Sequence, residues 1–513
     1  MPNANDLVAD VIVVGTGSAA LMAALTASEA GSSVIILEKT DRLGGTTAMS
    51  GGALWFPGNH LAAAAGVEDS PAEALSYLRA TAPEGWNETE DGLWQAFSEN
   101  APEAFAFLSR NTNLSFAFTD EADVHMDAPG AKQFGRMLSP LPISRWRLGL
   151  TGFRLRRSTL PQLYTYQETI ESQLYHRPVR TSLKILHKLA YRALTWSAGK
   201  GTALIVGLLE ACRARKCQIH HSTRVVDLVY DEKEARVSGV VAVRDGKEIR
   251  IAASKGVILA TGGFEWNEEL FAKYFPGKVE FRNSPRSNTG DGIVMGARIG
   301  AALAHMTEVN ATATLPTRYE GRLHGMPVPF HSYVPNALVS DTGSRFVDEN
   351  SSTLFDFLNA RTPEGRFKHD PIWLITDKRV QGLVVRWYAS YQKGWMREAA
   401  SIEELARMIG CDAENVRKSI AEVNARARDA DGKIVAPYVL MPFNRGILGT
   451  KGGLRTDGGA RVLRPDGSVI NGLFAAGLTM ANPIGSRRVS HGTTLGPNLT
   501  WGFIAARSAL SRN

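Results

Sequence analysis

The sequence predicts an α/β protein of Rossmann type carrying an inserted α+β unit, and three observations predict it. Val11 to Val14 is a wholly apolar, β-branched run, the pattern of a strand buried on both faces. Gly15 and Gly17 follow at once, Ala20 takes the third small position of G-x-G-x-x-A, and a helical pattern runs from Ala19 to Ala30 until Gly31 stops it. A second buried run, Val34 to Leu37, ends in Glu38, 23 residues after Gly15. Far along the chain, from about 301 to 444, prolines, aromatics and histidines increase and the strand–helix alternation is lost.

Each element has a physical task. Gly15 permits a tight turn, Gly17 lets backbone approach a pyrophosphate, and Ala20 lets helix and strand pack closely. Ser18, Ala19 and Ala20 open the helix, whose unpaired N–H groups and partial positive charge suit that pyrophosphate. Glu38, with Lys39 beside it, places a carboxylate where ribose hydroxyls can donate. The run Gly44-Gly45-Thr46-Thr47-Ala48-Met49-Ser50-Gly51-Gly52 is too rich in Gly, Ser and Thr to pack a core. It suits backbone and hydroxyls laid against a flat polar ring.

These residues resemble the flavoprotein superfamily of fumarate reductase and succinate dehydrogenase. More narrowly they are similar to its 3-ketosteroid 1-dehydrogenase branch, where GGTTA-x-SGG is followed by an aromatic and Phe-Pro, here Trp55-Phe56-Pro57. The resemblance implies a Rossmann-type (glutathione-reductase-like) FAD-binding domain with an inserted α+β capping domain. It implies FAD, not NAD. Covalent members of the superfamily attach flavin to a histidine in this loop; none stands between Gly44 and Asn59, so non-covalent FAD is expected.

The resemblance covers nearly the whole chain. It implies adenine contacts by backbone near Val226, on a strand from His220 to Val229 that leads into a β-meander. Ala260-Thr261-Gly262 ends another buried strand near the pyrophosphate. Asn288 and Asp291 belong to an Asn-Thr-Gly-Asp-Gly turn whose helix approaches the cofactor. Asp341 to Glu349 matches a D-x-G-x-RF-x-[ND]-E hairpin. Leu448 to Asp457 returns the chain to the flavin domain, and Gly477 ends the last flavin-facing strand. Thr494, Leu495 and Asn498 open the final helix, whose N–H groups stabilise negative charge on a reduced ring. The expected division is 1–290 for the first part of the FAD-binding domain, 291–445 for the cap and 446–513 for the rest.

Composition is that of an ordinary globular chain: 44% hydrophobic and 21% charged over 513 residues. Three cysteines, Cys212, Cys217 and Cys411, are too few for a disulfide framework or zinc site, and no metal is expected. The N-terminus has no basic and apolar export signal, so a cytoplasmic location is expected. The net charge of +7 is concentrated: from 131 to 209 thirteen Lys and Arg face only Glu168 and Glu171. In this basic insertion Leu183, Leu186, Ala190 and Leu194 share one helical face, with Lys184, Lys188 and Arg192 in a row beside it. Trp146 and Trp196 are amphipathic anchors. The segment 145–200 therefore suggests peripheral contact with the inner face of a membrane, set against a helix packed on its own domain with a solvated basic edge. No nucleic-acid motif is present.

In the ketosteroid branch a tyrosine and a glycine N–H polarise the substrate carbonyl, a second tyrosine takes the acidified α-proton, and a third supports it. The β-hydrogen leaves as hydride to flavin N5. The glycine is present as Gly492. Arg488, Thr353 and His125 stand at the three tyrosine positions. Arg488 can polarise a carbonyl or grip a carboxylate. His491 and His125 can exchange protons near neutral pH. These residues imply an FAD-dependent dehydrogenase acting on a CH–CH bond next to the carbonyl of a hydrophobic cyclic ketone, 3-oxosteroid or alicyclic, with an electron acceptor of unassigned identity. The alternatives are an enoate reductase gripping a carboxylate through Arg488 and His491, a flavoprotein subunit that works with a redox partner, and a flavoprotein that binds ligand without turnover.

Overall fold

The computed structural model describes residues 7–511 apart from 278, 280, 329 and 350–353. A strand–turn–helix–strand unit opens the fold: β1 (Leu7–Val14), α1 (Ser18–Glu29) and β2 (Val34–Leu37). Val11 to Val13 and all of β2 are buried, as a strand covered on both faces requires. β1 lies inside an eight-stranded sheet, flanked in parallel by β2 and by Lys247–Leu259. Gln218–His220 extends the parallel part beyond β2, and Val469–Ala475 extends it beyond Leu259. Val14 pairs with both Leu37 and Leu259, and Leu259 with Ala475, so these strands end level. Open parallel sheets bind ligands at that edge.

The expected strand 220–229 is two strands. His220 ends the sheet edge, Ser222 takes a φ of +53°, and Thr223–Asp231 then starts the antiparallel meander with Arg236–Arg244 and Lys247–Leu259. Helix α1 packs on the sheet, against the helices Lys200–Ala214 and Leu495–Leu510. Their apolar residues form one continuous core with the strands.

Between 281 and 450 the chain builds two further four-stranded sheets. One joins Phe281–Arg282, Arg445–Thr450, Val309–Tyr319 and Arg322–Pro327; the other joins Ala337–Val339, Trp373–Asp377, Tyr438–Pro442 and Arg397–Ala399. One apolar cluster joins the two sheets, with Leu315 and Met326 of the first beside Leu374 and Met441 of the second, and another packs Ile375 and Leu440 of the second sheet with Leu405 and Ile420. The single helix expected over 402–427 is two, Ile402–Ile409 and Ala413–Arg426. Gly410 ends the first in the left-handed region, and the Asp412 side chain caps the second.

The basic insertion folds as a closed excursion: Ile143–Ser144 leaves and Ser197–Ala198 returns beside it. Its expected amphipathic helix breaks at Ile185, giving Pro178–Lys184 and Leu186–Leu194. The basic row does not stay together, because Arg192 is buried while Leu186, Tyr191 and Leu194 are exposed.

Candidate active site

The turns at the sheet edge interlock into a slot. Gly15 has a φ of +117°, and a Cβ there would fall 2.3 Å from the Ala260 carbonyl oxygen, so only glycine lets the two turns meet. The slot is lined by Gly15, Gly17, Ser18, Ala19, Glu38, Lys39, Gly45, Thr46, Thr47, Ala260, Thr261, Gly262, Asn288, Asp291, Gly477 and Asn498. The Glu38 carboxylate accepts from the Thr16 hydroxyl at 2.6 Å and from the Thr40 N–H and hydroxyl at 3.0 Å. Further acceptor capacity remains on its oxygens. Lys39 pairs with Asp291 at 3.0 Å, and Arg224 joins Asp291 at 3.2 Å on the rim.

Some expected cofactor residues do not face the slot. Ala20 is buried in the core, Gly44 packs on Ala48 and Ile205, and Gly52 packs on the backbone of Lys200 and Gly201. Their small size serves packing. Thr223 and Val225 line the slot where Val226 was expected. Val226 sits in a bulge: Val225 pairs with Ala242 and Asp227 with Val241, so its backbone groups lie outside the ladder. Three motifs meet at buried Glu265, which accepts from Asn288 at 2.7 Å, from Ser284 at 2.5 Å and from the Thr450 N–H at 3.3 Å. Asn288 also donates to Thr46 at 2.9 Å.

At Thr46, Thr47, Leu478 and Asn498 the slot opens into a cavity of about 830 Å³. Ser50, Gly51, Thr494 and Leu495 line it, with Met49, Val124, Leu160, Ile170, Val328 and Leu354 as apolar wall. One polar chain crosses that wall. The Arg488 guanidinium contacts His491 Nε2, His491 Nδ1 lies 2.5 Å from Glu121 Oε1, and the Tyr166 hydroxyl donates to Glu121 at 3.1 Å. An Arg donor on Nε2 and a carboxylate on Nδ1 suit the neutral Nδ1–H tautomer. Burial raises the Glu121 carboxyl, but the bonds from His491, Tyr166 and Thr119 more than offset it, and the net shift is downward. Burial lowers the Arg488 guanidinium, opposed by Tyr166 and Glu121. His331, on the same wall, is pushed down to about 4 by burial and by Arg488.

The FAD binding domain family matches residues 10–495. The chain belongs to that family. The 3-oxosteroid 1-dehydrogenase of Mycobacterium tuberculosis strain ATCC 25618 / H37Rv is 31% identical, aligned over 97% of each chain. The 4-oxocyclohexanecarboxylate 2-dehydrogenase of Sinomonas cyclohexanicum is 32% identical over 97% of this chain and 92% of its own. The crystal structure of 3-ketosteroid delta1-dehydrogenase from Sterolibacterium denitrificans with 1,4-androstadiene-3,17-dione superposes with a TM-score of 0.86 at 29% identity, covering 98% of this chain and 100% of that one. This FAD binding domain protein is an FAD-dependent oxidoreductase. Its slot fits the dinucleotide: Cβ atoms at Gly17 and Gly45 would meet nothing closer than 3.7 Å and 3.8 Å, so two side-chain-free backbones face each other before the N-terminus of α1.

In this flavoprotein Arg488, His491 and Gly492 line one recess, and His125 does not join them. Gly492 has a φ of +73°, and a Cβ would fall 2.7 Å from the Leu54 backbone. It lines a smaller recess of about 250 Å³ that shares Arg488 and His491 with the main cavity. The His125 N–H is tied to the Tyr77 hydroxyl at 3.1 Å, which leaves its neighbour Val124 on the cavity wall. Thr353 lies outside the described residues. Arg487 is held by the Ile484 and Leu78 carbonyls and lies over Trp94. Sequence reasoning missed Glu121, Tyr166 and Lys200 on the cavity wall. Tyr166 carried one signal: it follows Thr165 in a capping box with Glu168, one of the two acids of the basic insertion.

Proposed function

We propose that this flavoprotein desaturates a CH–CH bond next to the carbonyl of a cyclic ketone, 3-oxosteroid or alicyclic. The observation that carries this is the chain Arg488–His491–Glu121–Tyr166 on the wall of a largely apolar cavity continuous with the FAD slot. A ring of apolar carbon fits such a wall better than a small diacid. Bound FAD supplies the hydride acceptor, and it is held without a covalent bond. Arg488 donates to the substrate carbonyl and stabilises the negative charge that develops there when the α-proton leaves. His491 accepts from Arg488 and donates to Glu121, which holds the guanidinium in place. The Tyr166 hydroxyl receives the α-proton as its own proton passes to the Glu121 carboxylate, to which it is already bonded. The apolar walls exclude water from the carbanion. The relatives' printed activities, on a 3-oxosteroid and on 4-oxocyclohexanecarboxylate, support a cyclic ketone.

The test is anaerobic. The FAD-loaded protein is mixed with a panel of 3-ketosteroids, cyclohexanones, 4-oxocyclohexanecarboxylate and dicarboxylates, and flavin absorbance is followed. Bleaching by one or more cyclic ketones is the expected result. If dicarboxylates alone exchange electrons with the flavin, or if no candidate does, the proposal fails.

A further inference from the structure

The basic insertion carries a surface that the reaction does not use. Its protruding side chains are apolar: Trp146 is 58% exposed, Leu150 84%, Leu183 66% and Leu194 85%. The helix Leu186–Leu194 is turned over relative to a helix packed in water. It buries Arg192 in paired bonds of 2.7 Å and 2.8 Å to Glu168 and a bond of 2.7 Å to the Leu163 carbonyl. Leu186, Tyr191 and Leu194 point away from the protein. Part of this surface is an aromatic cluster around Trp196, two residues beyond Leu194. The Arg145 N–H donates to the Trp196 carbonyl at 3.1 Å, and the Trp196 ring lies 4.7 Å from Trp146 and 4.5 Å from Phe153.

Exposed cations alternate with these side chains along the same excursion: Arg154, Arg157, Arg177, Arg180, Lys184 and Lys188. Between 131 and 209 the acids are Glu168, which faces Arg192, and Glu171. We propose that this face docks on an anionic lipid bilayer, with Trp146, Leu150, Leu183 and Leu194 at the headgroup–acyl boundary and the cations among the phosphates. The charge complementarity selects anionic lipid, and apolar side chains interspersed with Lys and Arg are the chemistry of an interfacial anchor. Among the described residues no helix is long and apolar enough to cross a membrane, so the contact is peripheral. The same excursion carries Tyr166, Thr169 and Ile170 to the cavity wall, so one segment of chain bears both the docked face and part of that wall. The docking rests on surface chemistry alone and stands whatever substrate the cavity takes.

Co-sedimentation of the FAD-loaded full chain with sucrose-loaded vesicles tests it. The protein is expected to pellet with mixed phosphatidylcholine–phosphatidylglycerol vesicles and to stay largely in solution with phosphatidylcholine alone. Lys184→Gln with Lys188→Gln should weaken partition about 25-fold, roughly fivefold per cation. Leu150→Ser with Leu194→Ser should weaken it at least about tenfold at unchanged charge. Both doubly substituted proteins are expected to keep the flavin spectrum of the parent, because all four side chains are exposed. No pelleting on mixed vesicles, or pelleting that the leucine substitutions leave unchanged, would overturn the proposal. So would sedimentation velocity without lipid revealing a dimer that those substitutions dissolve, since the face would then bind a second copy of the chain.

Discussion

Lys200 should make the stability of this protein rise with pH in a way that one substitution removes. It opens the helix Lys200–Ala214 at the cavity wall, with a φ of +56° and 1% exposure. Burial pushes its ammonium from 10.5 down to about 7, and Glu168 opposes that only in part. The unfolded chain therefore keeps a proton between those values that the folded chain has released. A depressed group contributes stability that is fully present above its unfolded value and lost as pH falls through its folded value. The gap between those values is worth about 5 kcal/mol in full, and about 4 kcal/mol between about pH 6 and about pH 10. Lys200→Met keeps an unbranched stem in the same left-handed backbone and removes the charge, so conformational strain cancels in the comparison. Urea unfolding of both proteins, followed by tryptophan fluorescence across that range, gives the difference in unfolding free energy. Met should be favoured most at the acid end, with the advantage shrinking by about 4 kcal/mol toward the alkaline end. Lys451, which burial pushes down to about 8, titrates in both proteins and cancels. Parallel pH profiles for the two proteins would refute the reasoning.

Tyr166→Phe keeps the ring and deletes the hydroxyl on Glu121; kcat should fall about 10²–10⁴-fold with the flavin spectrum unchanged, as rapid-reaction absorbance would record. Arg488→Ala should lower kcat/KM about 100-fold or more, whereas Arg487→Ala should leave turnover within several-fold and instead cost about 1–3 kcal/mol, because it abandons the Ile484 and Leu78 carbonyls. Equal losses of turnover in the two proteins would count against Arg488 meeting substrate. Arg136→Met should destabilise by about 3–5 kcal/mol in urea, because Arg136 bonds buried Asp69 at 2.6 Å and Asp123 at 2.8 Å and its loss strands both carboxylates.

The cradle is legible in the sequence because its residues act through backbone and small size, which a local pattern records. Gly15 must be glycine because Ala260 stands against it, and Ala260 announces itself by the buried strand before it. The catalytic wall is not legible in that way. Glu121, Tyr166, Lys200, Arg488 and His491 come from distant segments, and Glu121 reaches His491 across 370 residues of chain. The family motif leads to Arg488 and Gly492, and the loop that carries them is pinned by the Tyr77 hydroxyl on the Val489 carbonyl. It points also to His125, but in the loop after Phe118 it is Val124 that lines the cavity. Tyr166 enters from an insertion with no counterpart in the motif, so no register carries it over.

The turned-over helix marks a second boundary of sequence reasoning. Leucine spacing on Leu186–Leu194 establishes a stripe, but periodicity says nothing about which side of a helix meets the protein. Here a single acid decides. Glu168 is fixed near the cavity by its capping box with Thr165, and burial there would penalise its charge unless a cation came to it. Arg192 supplies that cation with a planar fork matched to the carboxylate. Once Arg192 faces inward, helical geometry sends Leu186, Tyr191 and Leu194 outward. The exposure of those side chains is thus the consequence of neutralising one carboxylate behind the substrate cavity, and it ties the charge of the cavity wall to the apolar face outside it.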